Sequence, residues 1–211
     1  MTTRIRLVYA RDESFRYTGH LDFQRVWERT LRRSHLPVAY SQGFSPQVRL
    51  NLACALPLGL TSQCEVLDFW LDTPMPLDAV QSAVKKALPP GIELKSISEV
   101  DPKAPALQVM VTASEYEITL LDPFPPAELD RCIQALLNAL VLPREWRGKP
   151  YDLRPLVESL TALFPDSEGN PRLACRLSAR EGATGRPEEL LAAMGLDSTA
   201  ARIHRTFLVM V

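Results

Sequence analysis

Residues 4–34 read RIRLVYARDESFRYTGHLDFQRVWERTLRRS, and the change of period inside this stretch decides the fold class. From Arg4 to Ala10 polar and apolar residues alternate, with β-branched and aromatic members among them, which predicts a half-buried strand. From Leu21 to Ser34 the apolar positions Phe23, Val26, Trp27, Thr30 and Leu31 recur at helical spacing. Asp22, Arg25, Glu28, Arg29, Arg32 and Arg33 lie mostly opposite them, so the segment reads as an amphipathic helix with one stripe facing a core. Thr18 and Gly19 can begin it, His20 and Asp22 fall in its first turn, where the helix dipole favours an acid, and Pro37 ends it.

Working outward, the loop 40–46 precedes two strand-like runs, VRLNLACALPLG and CEVLDFWLD, which predict a hairpin turning near Gly59. LDAVQSAVKKAL from Leu77 has helical spacing, Pro89, Pro90 and Gly91 stop it, and IELKSISEV follows as a strand. The order is β-α-β-β-α-β, the split βαβ or ferredoxin-like unit. After DPKAPAL (101–107) a second pass begins: the strand QVMVTASEYEITLL, the helix ELDRCIQALLNAL, the strand-like runs YDLRPLVESL and RLACRLSA, the short helix RPEELLAAMG and a last strand ARIHRTFLVMV. An α+β protein of two ferredoxin-like lobes, residues 1–103 and 104–211, with antiparallel sheets and helices on one face, is the expected architecture.

Composition narrows the function. With 46% hydrophobic and 23% charged residues the chain matches globular usage, and no stretch approaches the roughly 20 apolar residues that span a bilayer. No apolar run with a cleavage site opens it, so a cytoplasmic location is expected. The four cysteines, Cys54, Cys64, Cys132 and Cys175, form no Cys-x-x-Cys pair. They read as buried small apolar residues, and no metal, iron–sulfur cluster or other cofactor is expected in this chain. The net charge of −1 is uneven: residues 1–49 hold nine Arg against four acids, residues 50–130 four Lys against twelve acids, and residues 131–211 eleven basic against nine acidic side chains. A basic N-terminal third either decorates a solvated face or meets an anionic partner.

No dinucleotide-binding, phosphate-loop, zinc-protease or nucleophile-elbow motif occurs, which argues against a self-sufficient enzyme. His20 with Asp22 is either a proton-transfer pair or a helix-start histidine with a first-turn acid. In the loop SQGFSP, Gly43 permits close backbone approach, Phe44 can stack on a base or fill a pocket, and the hydroxyls of Ser41 and Ser45 can hold a phosphate or carboxylate; the same residues also make an ordinary turn. Arg25, Arg29, Arg32 and Arg49 are expected to form part of one RNA- or partner-binding surface. Arg154, Arg202 and Arg205, set in otherwise apolar strands, are candidates for a second anion contact or for edge decoration. Asp68 stands alone among apolar neighbours, and alternation can put it on the solvent face.

The stretch 16–71, RYTGHLDFQRVWERTLRRSHLPVAYSQGFSPQVRLNLACALPLGLTSQCEVLDFWL, resembles the signature region of an uncharacterised bacterial family, the radical-SAM-linked proteins. DPKAPAL, the segment around Ser114 to Glu117, DLRPL and ARIHRT are also similar. Where members carry a His or Asn and further basic residues around the loop proline, this chain has Ser45, Gln47 and Val48. The resemblance implies association with a cobalamin-binding type of radical SAM protein, with RNA as a possible further partner. Two functions are then open: a non-catalytic RNA-binding or substrate-presenting partner of a radical SAM enzyme, or an RNA-modifying or RNA-processing enzyme in its own right. Duplicated ferredoxin-like folds also occur in pseudouridine synthases, an analogy at the level of fold.

Overall fold

The computed structural model describes residues 2–146 and 148–211. The chain divides into two compact units, 1–110 and 111–211. In the first, β1 (Thr3–Arg11), α1 (His20–Arg33), β2 (Leu50–Leu52), β3 (Leu60–Leu71), α2 (Leu77–Ala87) and β4 (Ile92–Val100) follow in order. The strands lie β4-β1-β3-β2 with every neighbour antiparallel. The expected first run of the hairpin is cut to three residues.

One face of this sheet carries the core. Ile5, Leu7 and Tyr9 of β1 and Leu67, Phe69 and Leu71 of β3 pack with Phe23, Trp27 and Leu31 of α1 and with Val80 and Val84 of α2. These are the apolar positions at period two and period 3.6, and each large side chain so buried contributes roughly 1.5–3 kcal/mol. Tyr9 is the junction, its ring edge-on to Trp27 at 4.8 Å and stacked at 6.0 Å on Phe23. The helix α1 ends at Arg33, before Pro37: His35 turns the chain with φ 56°, a left-handed conformation uncommon outside glycine. Arg33 reaches across to the carbonyl of Ala87 at the end of α2 (3.0 Å), tying the two helices together.

The short helix α3 (Leu107–Met110) belongs to this first unit, so the division falls after Met110 rather than after residue 103. Arg4 donates to the carbonyls of Ala104 (2.6 Å) and Pro105 (2.8 Å), Gln108 donates to Leu52, and Leu107 is buried. The proline-rich segment is therefore pinned to the sheet rather than left as a free linker.

The second unit contains β5 (Val111–Leu120), α4 (Pro126–Asn138), the two-stranded hairpin β6 (Pro143–Trp146) and β7 (Lys149–Asp152), β8 (Val157–Leu163), β9 (Arg172–Arg180), β10 (Ala183–Thr184), α5 (Pro187–Ala193) and β11 (Ala201–Met210). Its main strands lie β11-β5-β9-β8, again antiparallel, with β10 folding back on β9. The β6–β7 hairpin was not expected from the sequence; Asp152 pairs with Pro143 and a 3-10 turn over Arg154–Leu156 breaks the predicted strand YDLRPLVESL in two. The α+β class holds, with antiparallel sheets carrying the helices.

Candidate nucleic-acid interface

The loop after α1 is built as a hairpin standing off the edge of β3. Val38 bridges to Leu71 and Tyr40 to Val48. Ala39 donates to Trp70 (2.7 Å) and Arg49 donates to Ala39 (2.8 Å). Ser41 closes the base twice, its amide donating to the Gln47 carbonyl (2.8 Å) and its hydroxyl accepting from the Gln47 amide (3.0 Å). Beyond that closure Gln42, Gly43, Phe44, Ser45 and Pro46 are all exposed. Gly43 has φ 140° and open space where a Cβ would stand. Phe44 fills no pocket: its side chain is fully exposed at the tip. The Ser41 hydroxyl serves the loop itself, leaving Ser45 as the exposed hydroxyl.

At the foot of this hairpin Arg49 is exposed, with its guanidinium 4.3 Å over the ring of buried Trp70; Arg4 lies 5.3 Å from the same ring. A cation held against an aromatic face keeps its N–H edge free for an anion. The expectation that Arg25, Arg29, Arg32 and Arg49 share one surface is corrected here. Phe69 and Leu71 face α1, so Trp70 between them faces the other way, and Arg49 with it. The exposed arginines of α1 lie on the helix side of the sheet. Among them Arg25 is paired with Asp22 (2.9 Å).

On the same face as Trp70 is a group the sequence reading did not identify. Asp68 is fully buried rather than solvent-facing. Arg4 Nε donates to it at 2.8 Å, and Arg6 donates through Nε at 2.8 Å and Nη2 at 3.0 Å. The signal was present as two arginines at period two on β1 opposite a lone acid on β3, and Arg6 and Asp68 are register partners. Reading it required the register.

His20 is half-buried at the first residue of α1, where burial chiefly lowers its pKa, Glu65 raises it and Arg11 lowers it. The acid whose charge acts on it is buried Glu65 of β3, while the expected partner Asp22 is exposed and engaged with Arg25. Arg11, itself buried, donates to the carbonyls of Phe15 and Thr18 (2.6 Å for Thr18) and lies 4.4 Å over the Phe23 ring. The loop before α1 is thus fastened to the strand, which fixes where His20 stands.

In the second unit the candidates separate. Arg154 spends its guanidinium on carbonyls, donating to Leu137 (3.0 Å) and Val157 (3.0 Å), so it clamps the end of α4 to β8. Arg205 is 1% exposed, with its Nη2 3.2 Å from the Tyr116 hydroxyl. Neither presents a charge to a large exterior ligand; Arg202 alone of the three is exposed. Of the cysteines only Cys175 is buried, and burial pushes its thiol up to about 12; Cys54, Cys64 and Cys132 are partly exposed rather than buried. Among the described residues no group of three or more His, Cys, Asp or Glu is placed to hold a metal ion, and no helix is long and apolar enough to cross a membrane.

Fold and site together define an α+β protein of two antiparallel, helix-bearing units, the first carrying an aromatic-tipped hairpin with a cation at its foot. The chain belongs to the family described as "Uncharacterized protein conserved in bacteria (DUF2344)", whose model matches residues 4–187. No curated protein matches it. Among solved structures it is similar to a crystal structure of a Cbf5-Nop10-Gar1 complex, with 10% identity and a TM-score of 0.53 over 98% of this chain and 48% of that one. The chain thus spans about half the length of that structure's chain, and the likeness concerns fold alone. A structure of an unknown protein from Galdieria sulphuraria aligns over 100% of this chain and 99% of that one at 15% identity, with a TM-score of 0.28.

Proposed function

We propose that both units are ferredoxin-like and that the first is a single-stranded RNA-binding module, serving as a non-catalytic, substrate-presenting partner of a cobalamin-binding radical SAM enzyme in the cytoplasm. The observation that carries the RNA reading is Phe44, a phenyl ring held fully in solvent on a hairpin closed at its base. Exposing such a ring forgoes burial, and its chemical use is as a stacking face for an unpaired base. Arg49, at the foot of the same hairpin, supplies a phosphate contact. The radical SAM partnership rests on the resemblance of residues 16–71.

The test is a titration of labelled single-stranded RNA at several salt concentrations. Phe44→Ala is expected to weaken binding by about 1–3 kcal/mol, the value of one base–aromatic stack. Arg49→Ala is expected to flatten the slope of log affinity against log salt by about one. Arg29→Ala, on the other side of the sheet, is the control. Unchanged affinity in both Phe44→Ala and Arg49→Ala overturns the reading, and a loss confined to Arg29→Ala moves the interface to α1. Purification from the native host, with sequencing of any RNA that accompanies the protein, tests the partner.

A second reading, an RNA-modifying or RNA-processing enzyme, is favoured by one observation: half-buried His20 feels the charges of buried Glu65 and Arg11. Lost turnover with intact RNA binding in His20→Ala is the result that selects it.

A further inference from the structure

The unpredicted hairpin β6–β7 has a consequence of its own. Together with the turn at Gly182 and the residues before α5, it encloses a pocket of 320 Å³ lined by Trp146, Lys149, Tyr151, Leu156, Thr184 and Arg186, all within the second unit. The volume lies in the range that takes a small organic ligand. The lining is of two kinds. Trp146, Tyr151, Leu156 and the neighbouring Pro150 give flat apolar walls, while Lys149 and Arg186 bring two positive charges.

These groups are held in place. The guanidinium of Arg186 lies 3.7 Å over the Trp146 ring, and such a planar cation is suited to a partner of fork geometry. Tyr151 sits beside Arg186 and its side chain interacts with that guanidinium, so hydroxyl and cation stand together at the pocket wall. Gly185 allows the walls to close: a Cβ there would meet Leu177 at 3.1 Å and the Leu156 carbonyl at 3.2 Å. Two acids of α5 are set against these cations: partly buried Glu188, whose pKa burial raises while the charge of Arg186 lowers it, and Glu189, which lies 3.9 Å from Arg144, the hairpin partner of Tyr151.

We propose that this pocket binds a nucleoside monophosphate group, its phosphate on Arg186 and Lys149 and its base against the aromatic and apolar wall. The same group is presented by a free nucleotide and by the phosphorylated end of an RNA strand. The pocket shares no residue with the Phe44 hairpin and stands or falls without it.

Calorimetric titration of the full chain with adenosine 5′-monophosphate tests this. Saturable binding is expected, with adenosine alone and inorganic phosphate alone each weaker by about tenfold or more, because each supplies half of the complementarity. Arg186→Ala is expected to lower affinity by about tenfold, the loss of a charge-assisted contact, and Tyr151→Phe by a few-fold, with unchanged melting in the second variant. Lys85→Ala, at an exposed cation of α2, is expected to leave the titration unchanged, which separates loss of this contact from loss of charge alone. A pentaribonucleotide with a 5′-phosphate, compared with its 5′-hydroxyl twin, distinguishes the sources. Tightening by the phosphate that disappears in Arg186→Ala assigns the site to an RNA end, and tighter binding of the mononucleotide than of either strand assigns it to the free nucleotide. Absence of saturable binding of the mononucleotide up to millimolar concentration overturns the proposal. So does unaltered affinity in both Arg186→Ala and Tyr151→Phe.

Discussion

Asp68 and His20 carry the sharpest consequences at the scale of single residues. Asp68 is a buried carboxylate held by two arginines, of which Arg4 is almost fully buried itself. Removing one member of such a group leaves an uncompensated buried charge, so Asp68→Ala is expected to lower unfolding free energy by about 3–5 kcal/mol, read as a shift of the urea midpoint. His20 has its pKa lowered by burial, so the unfolded chain binds more protons there than the folded one. The sign follows: its contribution is fully present above the ordinary histidine value near 6.5 and is lost as pH falls below it toward the folded value. Unfolding measured across this acid window in His20→Gln is expected to show a shallower loss of stability than in the unsubstituted chain. An NMR titration of His20 should place its midpoint below 6.5.

At the scale of elements, the backbone just before β4 comes close to the loop after β1. Gly91 has φ 93°, and a Cβ there would stand 2.7 Å from Asp12 Oδ1 and 2.9 Å from both Phe15 and Ser14. Asp12 also donates its amide to the Gly91 carbonyl at 3.0 Å, so the loop has no room to retreat. Gly91→Ala is expected to cost more than about 1 kcal/mol, from a disfavoured conformation added to a clash, measurable as a lowered melting temperature with the helix content retained. Gly43, in the open hairpin, also has positive φ but meets no atoms, and Gly43→Ala is expected to cost less.

At the scale of the whole molecule, the segment after β4 closes the first unit and does not merely leave it. Truncation after residue 103 would remove the Ala104 and Pro105 carbonyls that Arg4 binds and the buried Leu107. A fragment of residues 1–110 is therefore expected to be more stable than one of residues 1–103, by about 2–5 kcal/mol once the entropy of ordering the segment offsets part of the gain from two hydrogen bonds to a charged group and one leucine, as compared by denaturant unfolding. Local periodicity determined much of this molecule: β1, α1, β3, α2, β4 and their counterparts β5, α4, β9, α5 and β11 were legible because a strand or helix with one buried face repeats its apolar residues at a fixed interval whatever its neighbours are. The loop with Phe44 was legible as a loop, from Gly43 and Pro46, but its exposure was not, since a turn around a buried Phe has the same composition. What only the tertiary structure decided were relations between segments distant in the chain. The register of β1 on β3 set Asp68 between Arg4 and Arg6, and the alternation of β3 parted Arg49 from the arginines of α1. The folding of Arg154 and Arg205 inward turned two apparent anion contacts into internal fasteners. A charge in a sequence has no side; it acquires one only when pairing fixes which face its strand presents and which partner stands opposite.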